Sequence, residues 1–234
     1  MPIYRNLKSR KSKATEINKV TINGFFTEKP VEKELFIEFY GDSILNGSNV
    51  YLGGTTPATS DATKAFGWLT AEKLNADCNI IGCGGLGLAK SGGDFVMGDV
   101  YNLNGSLNVS GVTEYDFARI PDAVVIELGV NDEVRSADPA TYKANARALI
   151  SALRSKYGNN VPIIWLNGYH DKNFWTNTLA VINELGGESA NIYVCTTAKT
   201  YLTTEQGGDN YHPDVAGQES MANTLSAFIR DLLK

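Results

Sequence analysis

LFIEFYGDS, at residues 35–43, is a short apolar run that stops abruptly at a glycine followed by two small polar residues. A run of this length, rich in aromatic and aliphatic side chains and without helical spacing, predicts a strand buried on both faces of a sheet. Four later stretches have the same character and predict four further strands, at residues 79–83, 122–128, 161–166 and 191–195.

Helical patterns alternate with these strands. Asp138 followed by Pro139 predicts a helix start, because a proline in the first helical turn loses no hydrogen bond. Other helices are predicted from Asp61, over residues 175–185 and from about Pro213 onward. This alternation predicts an α/β fold, in which five parallel strands form a sheet that helices cover on both faces.

Composition excludes several classes of function. The net charge is −5, and beyond a basic stretch in the first 19 residues the chain is acidic, which argues against nucleic-acid binding. No stretch approaches the roughly 18 apolar residues of a membrane span, so no membrane association is expected. The three cysteines and two histidines show no metal-ligand spacing, so we expect no disulfide framework, no metal site and no cofactor.

Polar residues and glycines follow the predicted strands, and parallel sheets of this kind gather functional groups at that position. Ser43 follows the first strand, and a glycine turn containing Gly85 follows the second. Asn131 follows the third strand in the sequence Gly-Val-Asn-Asp, and Asp209 and His212 follow the fifth strand. We expect these residues to meet at one edge of the sheet.

These residue types suit acyl transfer. A serine hydroxyl becomes nucleophilic when a neighbouring base takes its proton, and histidine suits that task because its pKa lies near neutrality. A carboxylate orients the imidazole, while backbone N–H groups and a side-chain amide stabilise the oxyanion that forms. Asp42 and Asp132 are expected instead to hold their turns by hydrogen bonds to nearby backbone.

The chain resembles the SGNH/GDSL hydrolase family over residues 34–234, because four blocks occur in the family's order: GDS at 41–43, the glycine turn, GVND at 129–132 and DxxHP at 209–213. The resemblance implies the SGNH hydrolase fold, a three-layer α/β/α sandwich around a flavodoxin-like, five-stranded parallel sheet. It implies Ser43 as nucleophile, His212 as base and Asp209 as its orienting carboxylate. The N–H groups of Ser43 and Gly85 and the amide of Asn131 would form the oxyanion hole.

Within this family the chain is most similar to family 2 carbohydrate esterases, which deacetylate plant polysaccharides, on the stretches IEFYGDSI, GGLGL and PDAVVIELGVND. Ile44 replaces the leucine of GDSL, and the jelly-roll domain of those esterases is absent, so residues 1–33 are predicted to be an arm or the stub of such a domain. The resemblance implies a serine esterase for acetyl or other short acyl esters on a small-molecule or polysaccharide carbohydrate. It also favours secretion, although the N-terminus shows no signal peptide.

Other functions fit parts of the sequence. A lipase-like or thioesterase-like member of the family would act on non-sugar esters, and a binding module would keep the fold without catalysis. Residues 82–87 match the G-x-G-x-x-G pattern of dinucleotide-binding proteins, and residues 84–91 nearly match a P-loop. Both nucleotide motifs require a helix directly after the turn, but residues 88–118 show no helical stripe.

The roles of His170 and of three aromatic residues depend on where the fold places their side chains. His170, the other histidine, also follows a strand but lacks a matching block, and we expect it to be structural or pocket-lining rather than catalytic. Tyr211, Trp165 and Tyr169 fit stacking on a sugar ring and packing in the core equally well.

Overall fold

The computed structural model describes residues 4–6, 31–104, 112–167, 174–198, 205, 208–209 and 211–234. Its sheet has the strand order β1-β3-β2-β4-β5-β6, and every neighbouring pair is parallel. The strands are β1 (Tyr4–Asn6), β2 (Leu35–Gly41), β3 (Ala76–Gly82), β4 (Ala123–Glu127), β5 (Ile163–Asn167) and β6 (Ile192–Thr196). Strands β2 to β6 confirm the five predicted strands, in the flavodoxin-like order.

Helices cover the sheet on both faces. They are α1 (Phe66–Leu74), α2 (Met97–Val100), α3 (Val130–Val134), α4 (Pro139–Tyr157), α5 (Trp175–Glu184) and α6 (Val215–Leu232). Because successive strand residues point to opposite faces, Phe39 packs with α1 and α6, while Tyr40 packs with α2, α4 and α5. The predicted three-layer α/β/α architecture is therefore confirmed. Within the described ranges, no helix has the length and apolar character needed to cross a bilayer.

The predicted helix starts agree with the structure, with one adjustment. The Asp138 carboxylate accepts the backbone N–H of Thr141 at 2.9 Å and caps α4, as the Asp-Pro pair predicts. Asp61 also caps, but it caps a single 3-10 turn, Ala62–Lys64, and the α-helix begins only at Phe66.

One strand lies in the segment predicted to be an arm or stub. Residues 4–6 extend the sheet beyond β3, with Tyr4 opposite Ile80 and Asn6 opposite Gly82. This strand is three residues long and has no apolar run, so its sequence alone gives no strand signal. Its pairing with β3 adds a sixth strand to the five predicted.

The strand register brings three of the predicted functional segments together. Gly41 at the end of β2 pairs with Gly82 of β3 and with Glu127 of β4. These three strands therefore end at the same level of the sheet. The segments that follow them, which contain Ser43, Gly85 and Asn131, emerge side by side.

Candidate active site

Ser43 lies in a tight turn two residues beyond the end of β2. The backbone N–H of Ser48 donates to the Ser43 carbonyl at 3.0 Å and closes this turn. Gly41 is needed for close packing, because a Cβ at that position would lie 2.8 Å from the Leu45 Cβ and 2.9 Å from a Glu127 carboxylate oxygen. The glycine of the GDS block thus allows the turn to fold tightly against the end of the sheet.

His212 links Ser43 to Asp209. Its Nε2 lies 2.8 Å from the Ser43 Oγ, and its Nδ1 lies 2.5 Å from the Asp209 Oδ2. The imidazole is 13% exposed and the carboxylate 26%, so both are partly shielded and still open to a ligand. The structure therefore brings the three predicted residues into one hydrogen-bonded chain, in the order needed to activate a serine hydroxyl.

Several hydrogen bonds fix the Asp209 carboxylate. Its Oδ1 accepts the backbone N–H groups of Tyr211, at 3.0 Å, and His212, at 2.9 Å, and its Oδ2 accepts the Asn49 amide at 3.1 Å. Partial burial acts to raise the pKa of Asp209. The hydrogen bond and charge of His212, with the two backbone N–H groups, outweigh burial and hold this pKa well below its ordinary value.

A buried glutamine links the turn that contains Ser43 to helix α6. The Gln218 side chain is fully buried, donates to the Ile44 carbonyl at 2.9 Å and accepts the backbone N–H of Phe66 at 2.8 Å. The sequence alone identifies neither Gln218 nor Asn49, because each contacts a residue more than 150 positions away. No local sequence motif predicts such long-range contacts.

The predicted oxyanion-hole donors lie beside Ser43. A Cβ on Gly84 would stand 4.0 Å from the Ser43 Cβ, so the glycine turn adjoins Ser43. Gly85 has a φ of +80°, a conformation that favours glycine. Among the residues that the structure describes, no acceptor takes the backbone N–H of Ser43 or of Gly85. Both groups are therefore available to an incoming oxygen.

Asn131 occupies the third position, in a polar network. Its Nδ2 donates to the Asp42 Oδ2 at 2.8 Å and to the Leu86 carbonyl at 3.0 Å, and the residue is only 8% exposed. The amide therefore lies next to the glycine turn, as expected. Because both amide hydrogens already have acceptors, donation to an oxyanion requires one of them to be shared or exchanged.

Asp42 has the turn-holding contact predicted from the sequence, whereas Asp132 holds the glycine turn after β3 instead of its own turn. The Asp42 Oδ1 accepts the backbone N–H of Ile44 at 2.9 Å. Asp132 accepts the backbone N–H groups of Leu88, Ala89 and Lys90, at 2.9, 2.6 and 2.9 Å. The Asp132 carboxylate thereby holds the second half of the glycine turn in place.

Comparison with known proteins supplies the family. The model of the GDSL-like Lipase/Acylhydrolase family matches residues 39–220, which is most of the chain. The chain belongs to this family. The matched residues include Ser43, Asn131, Asp209 and His212.

Relatives of this GDSL-like hydrolase include carbohydrate esterases. It is 31% identical over 222 residues to the cellulase/esterase CelE of Acetivibrio thermocellus, covering 88% of its own length but only 26% of CelE. Its structure is similar to that of a family two carbohydrate esterase from Clostridium thermocellum in complex with cellohexaose, with a TM-score of 0.76 and 28% identity over 88% of this chain and 67% of that one. An acetyl xylan esterase from Butyrivibrio proteoclasticus shares the fold, with a TM-score of 0.75 and 23% identity. The match covers 91% of this chain and 68% of that one.

The glycine turn of the GDSL-like hydrolase lacks the structure that phosphate binding requires. After Gly87 no helix begins until Met97, and that helix, α2, ends at Val100. A helix N-terminus therefore does not follow the turn, as both nucleotide motifs demand. In the described part of the chain, no group of three or more histidine, cysteine or acidic side chains is placed to hold a metal ion.

The aromatic residues considered for sugar stacking lie in different environments. Trp165 is 1% exposed and belongs to the core, so it does not stack on a sugar. Tyr211 is 38% exposed, directly before His212. His170 and Tyr169 lie outside the described residues.

Asp209→Asn tests whether the carboxylate is needed. We expect kcat/KM to fall by about 10² or more, because an amide no longer favours the imidazole tautomer that accepts the serine proton. Steady-state hydrolysis of p-nitrophenyl acetate is the measurement. Asp138→Asn, an exposed cap where asparagine serves equally well, is the matched control and should keep full activity. Equal activity of both variants would mean that Ser43 and His212 act as a dyad.

Asn131→Ala separates oxyanion stabilisation from turn holding. We expect kcat to fall by about 10²–10³, the usual loss for one oxyanion donor. Asn145 also anchors the turn, donating to the Leu88 carbonyl at 2.8 Å, so Asn145→Ala is the control. Losing that one neutral hydrogen bond should cost no more than about tenfold. Similar losses in the two variants would remove Asn131 from the oxyanion hole.

The stability of the GDSL-like hydrolase should depend on pH through Asp42. Burial raises the pKa of Asp42 to about 6, although the Ile44 N–H, the His212 charge and the Asn131 amide each lower it. The unfolded chain ionises at a lower pH, so this contribution to stability is present below about pH 4 and is lost as pH rises through about 6. We expect Asp42 to add about 1 to 1.5 kcal/mol to the free energy of unfolding between about pH 8 and about pH 5.

Urea unfolding of the wild type and Asp42→Asn at both pH values measures this contribution. Asparagine does not titrate, so the variant should gain less stability on acidification than the wild type. Equal gains in the two proteins would show that Asp42 is already ionised throughout this range.

Proposed function

We propose that this GDSL-like hydrolase is a serine esterase that removes acetyl groups from carbohydrate through an acyl-enzyme on Ser43. The supporting observation is the hydrogen-bonded chain from the Ser43 hydroxyl through His212 to Asp209, with distances of 2.8 and 2.5 Å. It lies beside two backbone N–H groups that no described residue accepts.

In the first half-reaction the Ser43 Oγ attacks the acetyl carbonyl carbon while the His212 Nε2 takes the hydroxyl proton. The carbonyl electron pair moves onto the oxygen, where the N–H groups of Ser43 and Gly85 and the Asn131 amide stabilise it. Asp209 holds the ring by its Nδ1 and stabilises the imidazolium. The intermediate then collapses, the bond to the sugar oxygen breaks, and that oxygen takes the proton from Nε2.

In the second half-reaction water replaces the sugar. His212 takes a proton from the water as its oxygen attacks the acyl carbon, and the same donors hold the second oxyanion. Collapse breaks the bond between the acyl carbon and Ser43, returns the proton to the Ser43 Oγ and releases acetate. The cycle requires no group beyond these side chains and N–H groups.

The carbohydrate part of the proposal has separate support. CelE is named as an esterase, and the family two carbohydrate esterase was solved in complex with cellohexaose. In this chain two exposed tyrosines lie close in sequence to residues of the site: Tyr51, 49% exposed, comes two residues after Asn49, and Tyr211, 38% exposed, directly precedes His212. Their segments are joined by the hydrogen bond from Asn49 to Asp209, and exposed aromatic faces suit stacking against the apolar face of a sugar ring.

Acetate release tests the substrate class. We expect the wild type to release acetate from acetylated xylo-oligosaccharides with a higher kcat/KM than it hydrolyses p-nitrophenyl octanoate, while Ser43→Ala does neither. A preference for the octanoate, with no acetate released from the sugar, would favour the lipase-like alternative. Sugar binding without turnover of any ester would favour a binding module.

A further inference from the structure

Arg135 lies against the glycine turn of the active site. It follows helix α3, four residues after Asn131, and is half-buried. A Cβ on Gly92 would lie 2.6 Å from the Arg135 Nη2, and one on Gly85 would lie 3.8 Å from it. The backbone N–H of Gly92 donates to the Gly85 carbonyl at 2.8 Å. The guanidinium therefore packs over two joined glycines, one of which is a proposed oxyanion donor.

No carboxylate in the described part of the chain pairs with this guanidinium. The two acidic residues nearest in sequence have other contacts: Asp132 accepts three backbone N–H groups, and Glu133 accepts the Phe174 N–H at 2.6 Å. Within the same described ranges, Arg135 makes no ion pair or side-chain hydrogen bond. A half-buried arginine with free donors, next to a reacting centre in an acidic protein, is suited to an anionic ligand.

We propose that Arg135 is a specificity-determining residue that binds a carboxylate on the substrate, so that the preferred substrate is an acetylated sugar chain containing uronic acid. This inference rests on the proposed function, because it extends the ester site around Ser43 and Gly85. A guanidinium presents paired N–H groups that match the two oxygens of a carboxylate, whereas a neutral sugar offers only hydroxyl groups. The Gly92 backbone leaves room for the guanidinium at that position.

Binding and turnover are tested separately. Calorimetry with Ser43→Ala, which cannot consume the ligand, measures the affinity for acetylated oligogalacturonides and for acetylated xylo-oligosaccharides. We expect tighter binding of the acidic sugar, and we expect Arg135→Gln in the same background to weaken it about tenfold or more, the effect of losing a charge-assisted pair. Arg135→Lys keeps the charge without the paired donors, so its affinity for the acidic sugar should lie between those of the arginine and glutamine proteins. Arg147→Gln, which removes an exposed cation on α4, is the matched control.

Gly92→Ala provides an independent variant that keeps the arginine. Its Cβ would displace the guanidinium, so the preference for the acidic sugar should fall although the net charge is unchanged. Equal affinity for the two sugars, or equal weakening of both by Arg135→Gln, would overturn the role of Arg135. Those results leave acetate release by the wild type intact. Conversely, absence of acetate release with a preserved preference for the acidic sugar would overturn the proposed function alone.

Discussion

Ser43→Ala is expected to lower kcat/KM for p-nitrophenyl acetate by about 10⁴ or more, leaving activity close to background. Removing the Oγ removes the atom that bonds to the acyl carbon in the proposed mechanism, and no other hydroxyl in the described residues lies within hydrogen-bond distance of His212. The oxyanion donors remain, so the small residual rate should come from stabilised attack by water.

The control for this variant must separate lost chemistry from lost folding. Ser43 is only partly buried and lies in a turn held by backbone hydrogen bonds, so alanine should preserve the circular dichroism spectrum and the urea midpoint. Ser155→Ala, on the exposed face of α4, is the matched substitution and should keep wild-type activity. A folded Ser43→Ala protein with substantial turnover would show that another group attacks the ester.

His212→Ala is expected to cause a loss of similar size, about 10⁴ or more, because the hydroxyl then has no base. The effects should not add, since the proposed mechanism makes Ser43 and His212 act as one unit, and the double variant should be no slower than either single variant. The comparison uses rates of p-nitrophenyl acetate hydrolysis at saturating substrate, in a buffer whose components do not act as a general base. Multiplying losses in the double variant would contradict a shared mechanism.

The other histidine supplies the matched control. His170→Ala should retain activity within about threefold of wild type, because a histidine outside the chemistry contributes no base catalysis. If His170→Ala instead loses activity and His212→Ala keeps it, the base has been assigned to the wrong residue.

The fold and the clustering of Ser43, His212 and Asp209 could be predicted because their signals are local. Short apolar runs identify strands β2 to β6, and the parallel arrangement places whatever follows each strand at one edge. Ser43 and Asn131 could be located in this way, because Ser43 lies two residues beyond the end of β2 and Asn131 four residues beyond the end of β4. His212 required the additional signal of a helix start after Pro213, and helix α6 begins two residues later.

Other parts of the site depend on contacts that span the chain. Asn49, which holds Asp209, lies in a loop rich in glycine, asparagine and serine, where one more asparagine is no signal. Gln218 is a polar residue in the first turn of α6 and gains its role only when α1 and the turn that contains Ser43 pack against it. Strand β1 likewise cannot be predicted from its sequence, since its three residues are held by backbone pairing with β3.

The most direct test is to treat the folded protein with a fluorophosphonate, which reacts with activated serine hydroxyls, and to locate the adduct by peptide mass spectrometry. We expect one adduct per chain, on the peptide containing Ser43, with no adduct on Ser43→Ala and much slower labelling of His212→Ala. Labelling of a different residue, or ester hydrolysis by a protein that is never labelled at Ser43, would contradict a serine esterase centred on Ser43.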